Sequence, residues 1–347
     1  TEAVVRGPLV AVGAIVLVIG AVAIAYVLGP LARPAAAPSV VFVAISRSSD
    51  EADAQEIEAI DLDAGTRELF DAGGRITALA LSSDRRSLYV GLDGGKIVML
   101  DATTGSHFGA VDLGGPSVVS LVPTADGKTL FAIAVTNIQS TVVPIDLATK
   151  KPADPVVLPA TAGPGVISGG SLMVPFGDPQ RLQVAFIDVN ARVVSSRLTL
   201  PRGSLVPPTA FRISDARTGI AAFDGGFSGG GLRLYLLTDQ LHWTDVALQA
   251  PFPQGQRGGQ IGIGLQAAAT ASGMIHLCSV GGANARRYVI GTDSRSTSAG
   301  TDCGPLSGGD RMLMAKRDPA QLLVLDEVTG KTLRTLPLAG VPARLVQ

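Results

Sequence analysis

Four short strands in direct succession, from Ile76 to Gly115, constrain this chain more than any other feature. Ile76-Thr77-Ala78-Leu79-Ala80-Leu81 is followed by Ser87-Leu88-Tyr89-Val90-Gly91-Leu92, then Lys96-Ile97-Val98-Met99-Leu100, then His107-Phe108-Gly109-Ala110-Val111-Asp112-Leu113. Ser82-Ser83-Asp84, Asp93-Gly94-Gly95 and Thr103-Thr104-Gly105 separate them and supply the polar and positive-φ residues that tight hairpins need. About forty residues that make four antiparallel strands are one supersecondary unit, and such a unit buries its faces by stacking on copies of itself.

The rest of the chain repeats the unit. Residues 117–162 follow the same order, and the turn Thr124-Ala125-Asp126-Gly127-Lys128 matches Ser82 to Arg86 in position. Further units span 165–202, 206–251, 258–303 and 305–340, the sixth being rich in Gly, Ala and Ser. The first is short of one strand, with only 40–46, 57–62 and 67–72, and the C-terminal Val341 to Gln347 has the inner-strand pattern it lacks. An apolar residue followed by Asp closes the third strand at Asp61, Asp101, Asp146, Asp188 and Asp326, where the carboxylate caps a turn. The expected fold is all-β: a seven-bladed β-propeller of four-stranded antiparallel blades over 40–347, closed by strand 341–347 so that no edge is left open at the seam. Truncating that strand should destabilise the whole ring.

Ala78-Leu79-Ala80-Leu81-Ser82-Ser83-Asp84-Arg85-Arg86-Ser87-Leu88-Tyr89-Val90, Leu100-Asp101-Ala102-Thr103-Thr104-Gly105 and the second copy Pro123 to Ala132 resemble a bacterial seven-bladed propeller of the YVTN/WD40-like class. The resemblance covers residues 40–347, most strongly blades two and three. It departs from the family pattern after Tyr89-Val90, where Gly91-Leu92 stands in place of Thr-Asn. What it implies is a fold that serves as a binding platform, a scaffold, a cell-surface protein or, in some members, an enzyme.

A different physics governs the N-terminal part. Between Arg6 and Arg33 lie 26 residues without a formal charge. Residues 8–31, almost wholly Val, Ile, Leu, Ala and Gly, would exceed the roughly 30 Å hydrocarbon core as a helix. Ala35-Ala36-Ala37 offers a signal-cleavage pattern, yet the apolar run is longer than a signal h-region. The expectation is a short tail (1–7), one transmembrane α-helix (8–31) and a stiff Pro/Ala linker (32–39). Gly13, Ala14, Gly20 and Ala21 form a small-residue stripe suited to close helix packing. A short N-terminal tail and a large C-terminal domain favour a cytoplasmic N-terminus with the propeller exported across the inner membrane.

The chemistry-bearing residues are sparse. Gly226-Phe227-Ser228-Gly229-Gly230 matches the nucleophile-elbow spacing but lacks a following helix, so it reads as a glycine hairpin. Gly258 to Gly264 lacks the Lys and helix of a phosphate loop. His107, His242 and His276 fall in three different blades, and the acidic run Asp50, Glu51, Asp53, Glu56 and Glu58 reads as a solvated loop. Arg85-Arg86, Arg286-Arg287 and Lys316-Arg317 read as basic pairs on turns. Cys278 and Cys303, 25 residues apart, form either one disulfide or two buried thiols. No cofactor and no metal site is expected. A net charge of −1 and 4% aromatic residues argue against nucleic acid as a partner.

The function expected from these features is non-catalytic: a membrane-anchored accessory or scaffold subunit that binds other subunits of a larger membrane complex, respiratory or photosynthetic. Phe227, Trp243, Arg286 and Arg287 are the candidate partner contacts. The alternative is an extracytoplasmic ligand-binding sensor or enzyme with its site at the mouth of the propeller channel.

Overall fold

The computed structural model describes residues 35–48, 53–136, 138–178, 180–204, 207–214, 217–223, 232–238, 242–248, 264–280, 286–291, 295–300 and 303–347. These residues build seven antiparallel sheets arranged as a seven-bladed β-propeller. Blade 2 sets the pattern, with Ile76–Leu81, Ser87–Leu92, Lys96–Asp101 and His107–Asp112 running from the inner strand outward. In blade 1, Val40–Ser46 pairs on one side with Glu56–Asp61 and on the other with Val341–Val346, from Phe42↔Val346 to Ser46↔Val341. The last strand of the chain is therefore the inner strand of the first blade. The expected helix 8–31, with Gly13, Ala14, Gly20 and Ala21, lies outside the described residues. Among the described residues, no helix is long and apolar enough to cross a membrane.

Each blade is buried on both faces, and the alternation of one strand feeds two seams. In Thr129–Val135 of blade 3, Leu130 and Ala132 pack with Tyr89 and Met99 of blade 2. Phe131 and Ile133, pointing the other way, pack with Val174 and Phe176 of blade 4. Fully burying a side chain of this size contributes roughly 1.5–3 kcal/mol, so the seams supply most of the apolar stabilisation. Proline interrupts the outer strand of blade 3: Lys151–Pro152 and Val156–Leu158 pair separately with Ser140–Asp146, since a proline cannot donate to the ladder. The inner strand of blade 4 is likewise split around Gly163. A Cβ there would lie 1.6 Å from the carbonyl oxygen of Pro208, so only glycine lets blades 4 and 5 approach this closely.

The repeated aspartates close the turn between the third and outer strands. Asp101 Oδ1 accepts from the backbone N–H of Thr103 and Thr104 and from the Thr104 hydroxyl. Asp61, Asp146, Asp188 and Asp326 accept from the equivalent backbone amides. The residue four places after the Asp has positive φ in each turn: Gly65, Gly105, Lys150, Arg192 and Gly330. Lys150 and Arg192 use this left-handed conformation to reach the preceding blade. Lys150 Nζ donates to the Phe108 carbonyl at 2.6 Å, and Arg192 donates to the Thr129 hydroxyl at 3.3 Å.

Glu58 corrects the reading of the acidic run. It stands on the strand Glu56–Asp61 and is buried. There it accepts from Arg67 at 3.0 Å and from the Ala339 backbone N–H at 2.9 Å, joining blade 1 to blade 7. Glu58 shares its face with Ile60, opposite Ile57 and Ala59, a pattern that the neighbouring loop acids mask in the sequence; Asp50 and Glu51 lie outside the described residues.

Candidate functional site

Among the described residues, polar groups gather at three further places besides the turn caps and the Glu58 contacts. The first is the point where the chain enters the propeller. The Ser82 to Ser87 hairpin of blade 2 puts Arg85 in the left-handed region, at φ 58°. From there its guanidinium donates to the carbonyls of Ala36, Ala37 and Val40, the last at 2.6 Å. The Ala36 N–H donates back to the Arg85 carbonyl at 2.9 Å. Partial burial pulls the Arg85 pKa below its ordinary value. A clamp of four hydrogen bonds thus holds the strap 35–40 against the seam of blades 1 and 2. A recess of about 170 Å³ lies beside the strap, bordered by Ala36, Val40, Arg67, Phe70 and Thr103.

The second place is the channel. The inner strands present mainly Ala, Val, Leu, Ser and Thr. Their ionisable side chains among the described residues are Arg212 and Arg344, both exposed. Arg344 Nε donates to the Thr77 carbonyl at 3.0 Å, spanning the inner strands of blades 1 and 2. The ladder registers set Arg212 nearer the end with the first hairpin turns and Arg344 nearer the opposite end.

The third place is the seam between blades 6 and 7. Cys278 on Ile275–Val280 is disulfide-bonded to Cys303, on the segment entering blade 7. His276, two residues earlier, is fully buried and sets Nε2 2.8 Å from the Glu327 carbonyl oxygen. Burial holds its pKa below the ordinary value, with the Arg287 cation adding to that effect and the Glu327 hydrogen bond opposing it. Arg287 donates to the carbonyls of Gly330 at 2.8 Å and Ala299 at 3.1 Å.

The sequence-chosen residues do not converge on one surface. Arg286-Arg287 is not a turn pair: both residues begin the strand Arg286–Ile290, and Arg287 faces inward with 5% of its surface exposed. A partner would find its guanidinium already engaged by blade 7. Trp243 lies on the outer strand of blade 5 and stands edge-on to Tyr235, with ring centroids 5.7 Å apart. Phe227 and its Gly-rich hairpin lie outside the described residues. His107 of blade 2 faces the Asp71 carbonyl of blade 1, and His242 sits on blade 5, so neither meets His276. Among the described residues there is no group of three or more His, Cys, Asp or Glu that could hold a metal ion. Sequence reasoning missed Arg85 as a clamp. Its signal was a basic residue in a left-handed hairpin position that the second copy fills with Gly127, directly after the equivalent turn residues Asp84 and Asp126.

No family model matches the chain, and no curated protein matches it in sequence. Solved structures do resemble it. Hydrazine synthase of Kuenenia stuttgartiensis superposes with a TM-score of 0.62 at 13% identity, covering 78% of this chain and 89% of that one. A putative 6-phosphogluconolactonase of Bacteroides fragilis superposes with a TM-score of 0.61 at 16% identity, covering 90% and 99%. The WD40 repeats of RRP9 superpose with a TM-score of 0.55 at 12% identity, covering 81% and 88%. At these identities the likeness concerns the propeller fold alone.

Proposed function

We propose that this chain is a membrane-anchored, non-catalytic accessory or scaffold subunit whose propeller binds other proteins of a larger membrane complex. The observation that carries the reading is the Arg85 clamp on Ala36 and Ala37. Four residues, 32–35, separate the apolar run ending at residue 31 from Ala36, and the five Cα steps span at most roughly 18 Å of extended chain. A ring gripped so soon after a membrane helix would be held close to the bilayer in one orientation. The gripped end carries the Asp-capped turns; the opposite end, with the Arg75–Asp93 ion pair, would face the partner subunits. The stripe of Gly13, Ala14, Gly20 and Ala21 would let the helix pack closely on a neighbouring span. WD40-type propellers as structural neighbours fit protein–protein interaction in general. The Cys278–Cys303 disulfide fits an oxidising compartment, hence a cytoplasmic N-terminus and a periplasmic propeller.

Extraction of native membranes in mild detergent tests this. A stoichiometric set of membrane proteins should co-purify with the wild-type chain and be lost from the Gly13→Leu, Gly20→Leu double variant. A lone monomer would sink the reading. A second reading, a ligand-binding sensor or enzyme at the channel mouth, is favoured by Arg344 toward one end of inner strands whose described residues include no carboxylate. It requires a small anion to bind, which calorimetry on the Arg344→Gln variant would check.

A further inference from the structure

The seam of blades 6 and 7 holds chemistry that a packed ring does not need. Residues two apart on a strand share a face, so His276 and Cys278 point the same way, toward blade 7. Arg287 lies directly opposite Cys278 in the ladder and stands on that same face. Its Nη1 is 3.7 Å from Met314 Sδ, within the cluster that also contains Cys278 and Cys303. The other charged groups at the seam are engaged elsewhere: the Asp326 carboxylate caps its own turn and the Glu327 carboxylate accepts from Ser272. The two cysteines differ in access. Cys278 has no exposed surface, whereas Cys303 is partly exposed.

We propose that the Cys278–Cys303 disulfide is a thiol–disulfide exchange site for a dithiol reductant, attacked at Cys303 and releasing Cys278 beside the Arg287 guanidinium. One thiolate of the reductant bonds to Cys303 Sγ, and the Cys278–Cys303 bond breaks with its electron pair leaving on Cys278. The second thiol of the reductant, deprotonated, then attacks its own sulfur in the mixed disulfide. That closes the reductant's disulfide and releases Cys303, which takes up a proton. The reductant loses two electrons and two protons; the protein gains a Cys303 thiol and a Cys278 thiolate, and the remaining proton goes to solvent. A leaving thiolate next to a fixed cation departs faster, and the partly exposed Cys303 is the half of the bond open to an incoming thiolate. Exchange would untie blade 6 from the entry of blade 7 while the Arg287 and His276 hydrogen bonds persist, so the seam loosens without the ring coming apart.

The test uses the full chain in detergent, without denaturant. Glutathione, a monothiol that cannot close a ring on its own adduct, is reacted briefly near neutral pH, quenched with acid before a second molecule displaces the first, and the adduct mapped by mass spectrometry. The adduct is expected on Cys303, in about tenfold or greater excess over Cys278, and dithiothreitol should reduce the bond at a rate unchanged by low urea. Arg287→Gln should slow that reduction by about tenfold, and Arg287→Lys, which keeps the charge, by much less. An adduct on Cys278, or a reduction rate that climbs with urea in step with global unfolding, would overturn the proposal. So would a folded Arg287→Gln protein reduced as fast as wild type. If Arg287→Gln does not fold, the adduct position and the urea dependence on the wild-type chain decide.

Discussion

The seam between blades 2 and 3 and the seam between blades 6 and 7 join equivalent turns from opposite sides. In blade 3 the fourth residue after the capping Asp146 is Lys150, which reaches back to the Phe108 carbonyl of blade 2. In blade 7 the same place after Asp326 is Gly330, whose carbonyl receives Arg287 from blade 6. Lys150 works from a partly exposed turn, with its ammonium 5.7 Å from the Phe108 ring centroid. Arg287 works from inside the sheet. The inner strands are alike at the two seams, with Ala78 and Ala80 toward blade 3 and Ala268 toward blade 7. The difference lies in the next two strands: blade 2 turns Tyr89, Ile97 and Met99 toward blade 3, whereas blade 6 turns His276, Cys278 and Arg287 toward blade 7. A blade with little apolar bulk to bury leaves room for a buried cation, a histidine and a disulfide, and these hold it to its neighbour. The lesson is that a repeat fold conserves the place of a seam contact, not the side that supplies it.

Substitutions should separate the two seams by size of effect. Arg287→Met leaves the Gly330 and Ala299 carbonyls buried without their donor and should cost about 3–5 kcal/mol in urea unfolding. Lys150→Met, from a surface turn, should cost less than about 1 kcal/mol; equal losses would erase the contrast. Replacing both cysteines by serine removes a cross-link over 25 residues and should lower stability by roughly 3 kcal/mol. Gly105→Ala should cost about 2 kcal/mol, because φ is +68° and the added Cβ would lie 2.4 Å from the Phe70 ring. Asp101→Ala removes three accepted hydrogen bonds and should cost about 1 kcal/mol, whereas Thr238→Ala at the same place in blade 5, where among the described residues the hydroxyl meets the His242 carbonyl at 3.4 Å, should cost about 0.3 kcal/mol.

Acid should act on His276 and on the aspartate caps in different windows. His276 is held neutral, with its pKa below the ordinary 6.5, so the unfolded chain binds the proton first as pH falls. Its contribution is complete above pH 6.5 and declines from there down through the lower folded value. The caps Asp61, Asp146 and Asp326 lie below the ordinary 3.8, held there by turn amides in the first two and by the Thr329 hydroxyl foremost in the third. Their contribution is complete above pH 3.8 and is lost only below it. Denaturation midpoints measured from pH 7 to pH 3 should therefore show a first decline that His276→Phe removes. A decline that survives this substitution would assign the window to another group.

Much of the ring was legible in residues close together in the chain. The hairpin of Asp93-Gly94-Gly95 and the Asp-x-x-x-Gly turns are contacts over two to four residues, so their chemistry is written in one stretch. The strand missing from the first blade could be matched to Val341–Val346 because an inner strand has its own apolar pattern. Arg287, Glu58 and Arg85 were not legible. A strand half in water shows its buried side as an apolar stripe, but a propeller blade is buried on both sides and gives no such contrast. A charged residue in that setting reads as exposed until its neighbour is known.

Residue order by itself determined the strand succession, the forty-residue period, the capped turns and the closing strand, because those depend on local geometry and on a period-two pattern that a ring repeats. Tertiary structure alone decided which blade each polar side chain meets. Arg287 lies 43 residues before Gly330, Glu58 lies 281 residues before Ala339, and Arg85 reaches back 49 residues to Ala36. Only the closing of the ring brings these pairs together, and only then does a buried charge find the carbonyl or amide that makes its burial tolerable.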